Sequence, residues 1–136
     1  MTFYIDANVF IFATLGDDIR AVKAKEILKK VVLGEIRAIT SSLTIDEVVW
    51  NISKQTKDRN LAIEQGLRIL QFDNLDAVSV DAKIIQSALG LMEKYNLLKP
   101  RDAIHLAVAL AHDVSVIVTD DSDFDAIKEI KTKHLD

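Results

Sequence analysis

Four acidic residues occupy places from which chemistry can be built. Asp6 closes a short apolar run, and Glu47 follows Thr44-Ile45-Asp46. Asp102 stands two residues after Pro100, and Asp121 three after Val118. Carboxylates cap helices, exchange protons and hold hard divalent cations. Two of them about 4 Å apart repel by roughly 4 kcal/mol at an effective dielectric near 20, so a cluster of four calls for protonation or for a cation. An all-oxygen donor set without histidine or cysteine favours Mg²⁺ or Mn²⁺. Such ions lower the pKa of a bound water and stabilise the charge that develops on a phosphodiester. The chemistry this set suits is hydrolysis of a phosphodiester by metal-activated water, provided the fold gathers the four acids.

The elements that must gather them follow from apolar periodicity. Thr2 to Ile5 is a β-prone run read as a buried strand. Asn8 to Ala13 reads as a helical turn, punctuated by Gly16-Asp17-Asp18. Asp18 to Val32 carries Ile19, Val22, Ile27, Leu28 and Val31 at helical spacing, with Gly34 as the stop. Ile36 to Thr40 reads as a second strand, Ser41 to Lys57 and Asn60 to Phe72 as helices, and Ala77 to Val80 as a third strand. Asp81 starts a helix running to about Tyr95, and Pro100 one running to about His112. Val114 to Val118 is the clearest strand, Phe124 to Glu129 a short helical turn, and Ile130 to His134 a weak edge strand. Apolar strands alternating with amphipathic helices predict an α/β fold, a three-layer α/β/α sandwich around a mostly parallel sheet.

In such a sheet, sites form at the carboxyl edge of the strands. Asp6 ends the first strand, and Asp120 and Asp121 follow Val114 to Val118, so all three belong at that edge. A helix leaving the second strand starts there, which predicts Glu47 in a first turn at the edge. The helix from Pro100 precedes a parallel strand and runs antiparallel to it, which brings Asp102 to the same rim. Each acid also has a purely structural reading. Asp6 can cap the next turn, Thr44 to Glu47 has the spacing of a capping box, and Asp102 suits a helix dipole. Asp120, Asp121 and Asp123 can be turn residues. The convergence of separate segments on one rim is what favours a site.

Other residues carry weaker expectations. His105 lies among apolar residues and reads as a core or supporting group, not a ligand. Trp50 reads as core. The lysines between 23 and 30 read as a solvated helix face. Lys99 and Arg101 flank the proposed site and are the better choices for phosphate contacts.

The chain has 136 residues, 49% hydrophobic and 28% charged, which fits one domain over 1–136 with a real core. It contains no cysteine, which excludes disulfides, thiolate zinc sites and cysteine nucleophiles. A net charge of −4 does not suit a protein that coats long nucleic acid, but it allows local basic residues to grip a short stretch of RNA. No basic segment followed by a long apolar run opens the chain, and no stretch is long enough to cross a bilayer. A cytoplasmic protein without a membrane partner is expected.

The motifs resemble one family. Ile5-Asp6-Ala7-Asn8-Val9 is similar to the N-terminal signature of PIN domains. Thr44-Ile45-Asp46-Glu47-Val48-Val49 resembles the second acidic position, and Arg101-Asp102-Ala103-Ile104-His105-Leu106-Ala107 the third. Val118-Thr119-Asp120-Asp121-Ser122-Asp123-Phe124 resembles the fourth. The resemblance implies Asp6, Glu47, Asp102 and Asp121 as metal-holding catalytic carboxylates, with Asn8 and Thr119 as supporting polar residues. Asp121 is preferred to Asp120 and Asp123 because it stands two after Thr119. The resemblance further implies a Mg²⁺- or Mn²⁺-dependent endoribonuclease, often a VapC-type toxin that forms homodimers and is silenced by an antitoxin. The surface of the helical pair from Ser41 to Phe72 is expected to supply part of a dimer interface.

Two alternatives compete. A haloacid-dehalogenase-type phosphatase wants Asp-x-Asp after its first strand, where this chain has Asn8. A phospho-receiver domain wants an acidic pair and a lysine after a late strand, and neither is present at the matching place. A non-catalytic module of the same fold, binding RNA or protein, would ordinarily have lost an acid.

Overall fold

The run Thr2–Ile5 becomes the central strand, β1, of a five-stranded parallel sheet in the computed structural model, which describes residues 2–136. Its companions are β2 (Arg37–Ser41), β3 (Leu75–Val78), β4 (Val116–Val118) and β5 (Lys131–Lys133). Their order is β3-β2-β1-β4-β5, and every neighbouring pair is parallel. Six helices connect them: α1 (Ala7–Leu15), α2 (Ile19–Val32), α3 (Ser42–Thr56), α4 (Arg59–Leu70), α5 (Ala82–Lys94) and α6 (Pro100–Ala111). The chain turns back at β1, which has β2 on one side and β4 on the other. That switch point opens a crevice at the carboxyl edge.

Side chains alternate across the sheet and feed two cores. Ile5, Ala38 and Val118 point to one face and pack with Val9 of α1, Val31 of α2, Val48 and Ile52 of α3 and Ala62 of α4. Tyr4, Ile39 and Ile117 point to the other and pack with Ala88 of α5 and Leu106 of α6. Both faces are therefore covered by helices, which is why the strands read as continuous apolar runs.

Local signals start and stop the helices. Asp18, Asp58 and Asp81 each accept a hydrogen bond from a backbone N–H of the next turn. Pro100 occupies the first turn of α6, where its missing N–H costs nothing. Gly34, just after α2, takes φ +76°, a left-handed conformation that glycine adopts without a Cβ clash.

Several expectations need correction. The helical turn at Asn8 is a nine-residue helix, α1. The third strand starts at Leu75, earlier than Ala77, because Leu75 is buried and pairs in register with Ala38. The turn expected over Phe124 to Glu129 is a 3-10 turn at Ser122–Phe124. Phe124, Ile127 and Ile130 then each bury at a three-residue step. Trp50 is 62% exposed. The buried positions of α3 are Thr44, Val48 and Ile52, which rotates Trp50 away from the core. Among the described residues, no helix is long and apolar enough to cross a membrane.

Candidate functional site

Asp6 leaves β1 at its carboxyl end and caps α1, its Oδ1 accepting the Ala7 N–H at 2.7 Å. Its other oxygen accepts the Thr119 hydroxyl at 2.7 Å and the Asn8 amide at 3.3 Å. Asn8 and Thr119 also organise the facing turn. The Asn8 amide donates to Thr119 Oγ1, Asn8 Oδ1 accepts the Asp120 N–H, and Thr119 Oγ1 accepts the Asp121 N–H. Both residues thus tie the first acid to the segment bearing the fourth. Asp6 is only 6% exposed. Burial raises its pKa, an effect only partly offset by nearby His105 and by the Thr119 hydrogen bond.

Glu47 does not sit in a first turn, and no capping box forms. Strand β2 ends at Ser41 and α3 begins at once with Ser42, so Thr44 already lies inside the helix. Its hydroxyl is buried without a hydrogen-bond partner among the described residues. Glu47 nonetheless reaches the carboxyl edge by another route: its Oε1 is hydrogen-bonded to Nε2 of His105 on α6.

His105 stands one turn beyond Asp102 on the same helix and is 1% exposed. Its Nε2 also lies 3.6 Å from Asp6 Oδ1. Its Nδ1 lies 2.5 Å from the Tyr4 hydroxyl, which is 2.9 Å from Ser41 Oγ. Burial alone favours the neutral imidazole. Tyr4 and the carboxylates of Glu47 and Asp6 outweigh it and hold the ring's pKa well above its ordinary value. The expectation of a supporting group fits this place, but the ring is central to the site and not merely core.

Asp102 lies in the first turn of α6. Burial, reinforced by the charges of Asp121 and Asp6, pushes its carboxyl up to about 6. Oxygens of Asp102, Asp121 and Asp123 lie within 4.8 Å of one another, and the same holds for oxygens of Asp6 and Glu47 with a His105 nitrogen. The four expected acids thus divide between two adjoining clusters. Glu47, Asp102 and Asp121 line one open cleft of about 520 Å³ with Lys99, Pro100 and Arg101. Asp123 joins Asp121, whose Oδ1 accepts the Asp123 N–H, and its own carboxylate lies 4.0 Å from Lys99 Nζ. Asp120 is set apart, paired with Arg20 at 3.1 Å.

The donor chemistry fits a hard divalent cation. The clusters offer several carboxylate oxygens and no thiolate, and burial together with the charges of Asp121 and Asp6 raises the Asp102 carboxyl. Tyr4 and Ser41 were not singled out by the sequence pattern. The signal was there in part, since a tyrosine in a buried apolar strand needs a partner for its hydroxyl.

Comparison with known proteins bears on the family and the fold. Ribonuclease VapC13 of Mycobacterium tuberculosis is 23% identical over 133 residues, covering 93% of this chain and 95% of the relative. Among solved structures, the Mycobacterium tuberculosis toxin VapC20, described as cleaving the sarcin-ricin loop, superposes with a TM-score of 0.75. It is 16% identical, covering 94% of this chain and 96% of that one. The VapBC2 structure from Rickettsia felis, bound to a promoter DNA fragment, gives 0.74 at 17% identity, covering 98% of both chains. The PIN-domain family profile matches residues 3–130, a span that contains every acid of the two clusters, and the chain accordingly belongs to the PIN-domain family.

Proposed function

We propose that this chain, as a single domain over 1–136, is a Mg²⁺- or Mn²⁺-dependent endoribonuclease and the toxin of a type II toxin–antitoxin pair. The observation that carries the reading is the convergence of acids from β1, α3, α6 and the turn after β4 on one sheet edge, where burial and the charges of Asp121 and Asp6 raise Asp102 to about 6. The names of its relatives, a VapC ribonuclease and toxins of VapBC pairs, support the substrate class and an antitoxin partner.

In this reading Asp6, Glu47, Asp102 and Asp121 hold divalent metal. When bound, a divalent ion supplies an acidified water and offsets charge on the phosphoryl oxygens. The protein's own part is positioning. Asn8 and Thr119 fix Asp6 and the turn of Asp121. Lys99 and Arg101, on the rim of the cleft, contact phosphates flanking the scissile bond. Water attacks the phosphorus, the P–O bond to the leaving nucleotide breaks, and the leaving oxygen takes up a proton. The protein acts in the cytoplasm as a homodimer, away from membranes.

The test is cleavage of a panel of single-stranded and structured RNAs with Mg²⁺, Mn²⁺ or EDTA. Wild type is compared with Asp6→Asn and Asp102→Asn. Cuts that need metal and vanish in both variants are expected. Cleavage indifferent to both substitutions would overturn the site, and metal binding without cleavage of any RNA would favour a non-catalytic binding module.

A further inference from the structure

Glu47 is the acid whose position the sequence explains least. It projects from the second turn of α3, with no cap or turn of its own to orient it. Its carboxylate meets instead a chain of buried side chains from three other places: His105 on α6, Tyr4 on β1 and Ser41 at the end of β2. Tyr4 and Ser41 are fully buried, and His105 nearly so. Most polar groups at such depth are hydrogen-bonded, and each member of this chain satisfies the next.

Nε2 faces the carboxylate oxygens of Glu47 and Asp6, which accept and do not donate when ionised, and this favours a proton on that nitrogen. With a neutral ring, the Tyr4 hydroxyl donates to Nδ1 and the proton sits on Nε2. With a charged ring, Nδ1–H donates to Tyr4, and Tyr4 donates to Ser41. The paired hydroxyls of Tyr4 and Ser41 permit both arrangements, because each can donate or accept. In either case Nε2 carries a proton and donates to Glu47 Oε1. The same nitrogen lies 3.6 Å from Asp6 Oδ1, so one ring edge spans acids from α3 and β1.

We propose that His105 is a positioning residue for the metal site. It holds Oε1 of Glu47 through Nε2–H, braced from behind by Tyr4 and Ser41, so that Oε2 is presented to the cleft as a ligand. The inference rests on the reading of the carboxylates as a divalent-metal site. Partners that orient a metal ligand typically change affinity by about 10- to 100-fold when removed, even though they never touch the ion.

The experiment measures Mn²⁺ binding to the full chain by electron paramagnetic resonance of the free ion, without RNA. Circular dichroism checks the fold of each variant. His105→Leu should weaken Mn²⁺ binding by about 10- to 100-fold. His105→Gln, whose amide can donate in place of Nε2–H, should recover most of that loss. Tyr4→Phe should weaken binding by a smaller factor and also serves if His105→Leu does not fold. A folded His105→Leu that binds as tightly as wild type, or more tightly, would show that the ring competes for Glu47 and would overturn the proposal. So would a His105→Gln no better than His105→Leu, or a Tyr4→Phe indistinguishable from wild type. Asp102→Asn separates this failure from failure of the metal reading. If Asp102→Asn loses Mn²⁺ while the His105 and Tyr4 variants keep it, only the positioning role falls. If wild type binds no Mn²⁺, both fall.

Discussion

The Asp102 carboxyl is the group whose protonation reports most directly on crowding at the site. In the folded protein it keeps its proton up to about 6, against an ordinary value of 3.8. Between those values the folded state binds more protons than the unfolded one. This group therefore makes the metal-free protein less stable as pH rises through that window, and the loss persists above it. Asp102→Asn removes the charge. In EDTA, its melting temperature should exceed that of wild type at pH 7.5, with the gap closing near pH 4. A gap of the same size at both values would mean that folding does not raise the Asp102 carboxyl, by burial or by its charged neighbours. At this scale the sequence was a good guide to where Asp6, Asp102 and Asp121 lie, because each sits beside a local signal: a strand end, a proline or a Thr-x-Asp turn. It was a poor guide to the partner of Glu47, since His105 lies 58 residues away along the chain. It was also wrong about Trp50, whose size suggested core but whose place on α3 turns it outward.

Among the elements, α3 matters most for the site because it carries Glu47, and its pose depends on α4. The two helices approach closely at Gly66, where an added Cβ would stand 2.7 Å from Val49 Cγ2 and 3.5 Å from Ile45 Cγ2. Ile45 and Val49 flank Glu47 in the chain, so pressure at Gly66 acts on the segment that aims it. Gly66→Val should lower stability by about 1–3 kcal/mol, as overpacking of a filled contact does. Chemical denaturation checks this, and a stability equal to wild type would show that α3 and α4 can separate without cost. The periodicity that announced these helices was legible in the sequence. The contact at Gly66 was not, because a glycine inside a helical pattern reads only as a weak helix former until the facing helix is known.

At the scale of the whole molecule, the outer face of α4 leaves Ile63, Leu67 and Leu70 exposed at helical spacing. This is apolar surface in the segment from which a dimer interface is proposed. Sedimentation at micromolar concentration should give a dimer for wild type and a monomer for Leu67→Asp, with unchanged circular dichroism. A wild-type monomer under those conditions would remove the homodimer from the reading.

The sequence by itself determined that the chain would be α/β with a parallel sheet, and that Asp6, Asp102 and Asp121 would lie at its carboxyl edge. Strand runs, caps and the proline at α6 are local signals, and parallel connectivity converts them into an edge. Only the tertiary structure decided how the acids group. It sets Asp120 aside on Arg20, joins Asp123 to Asp102 and Asp121, and hands Glu47 to His105. Those outcomes depend on the order of strands and the rotation of each helix about its axis. Both are set by how two cores pack against the two faces of one sheet, and no local stretch of sequence encodes that packing.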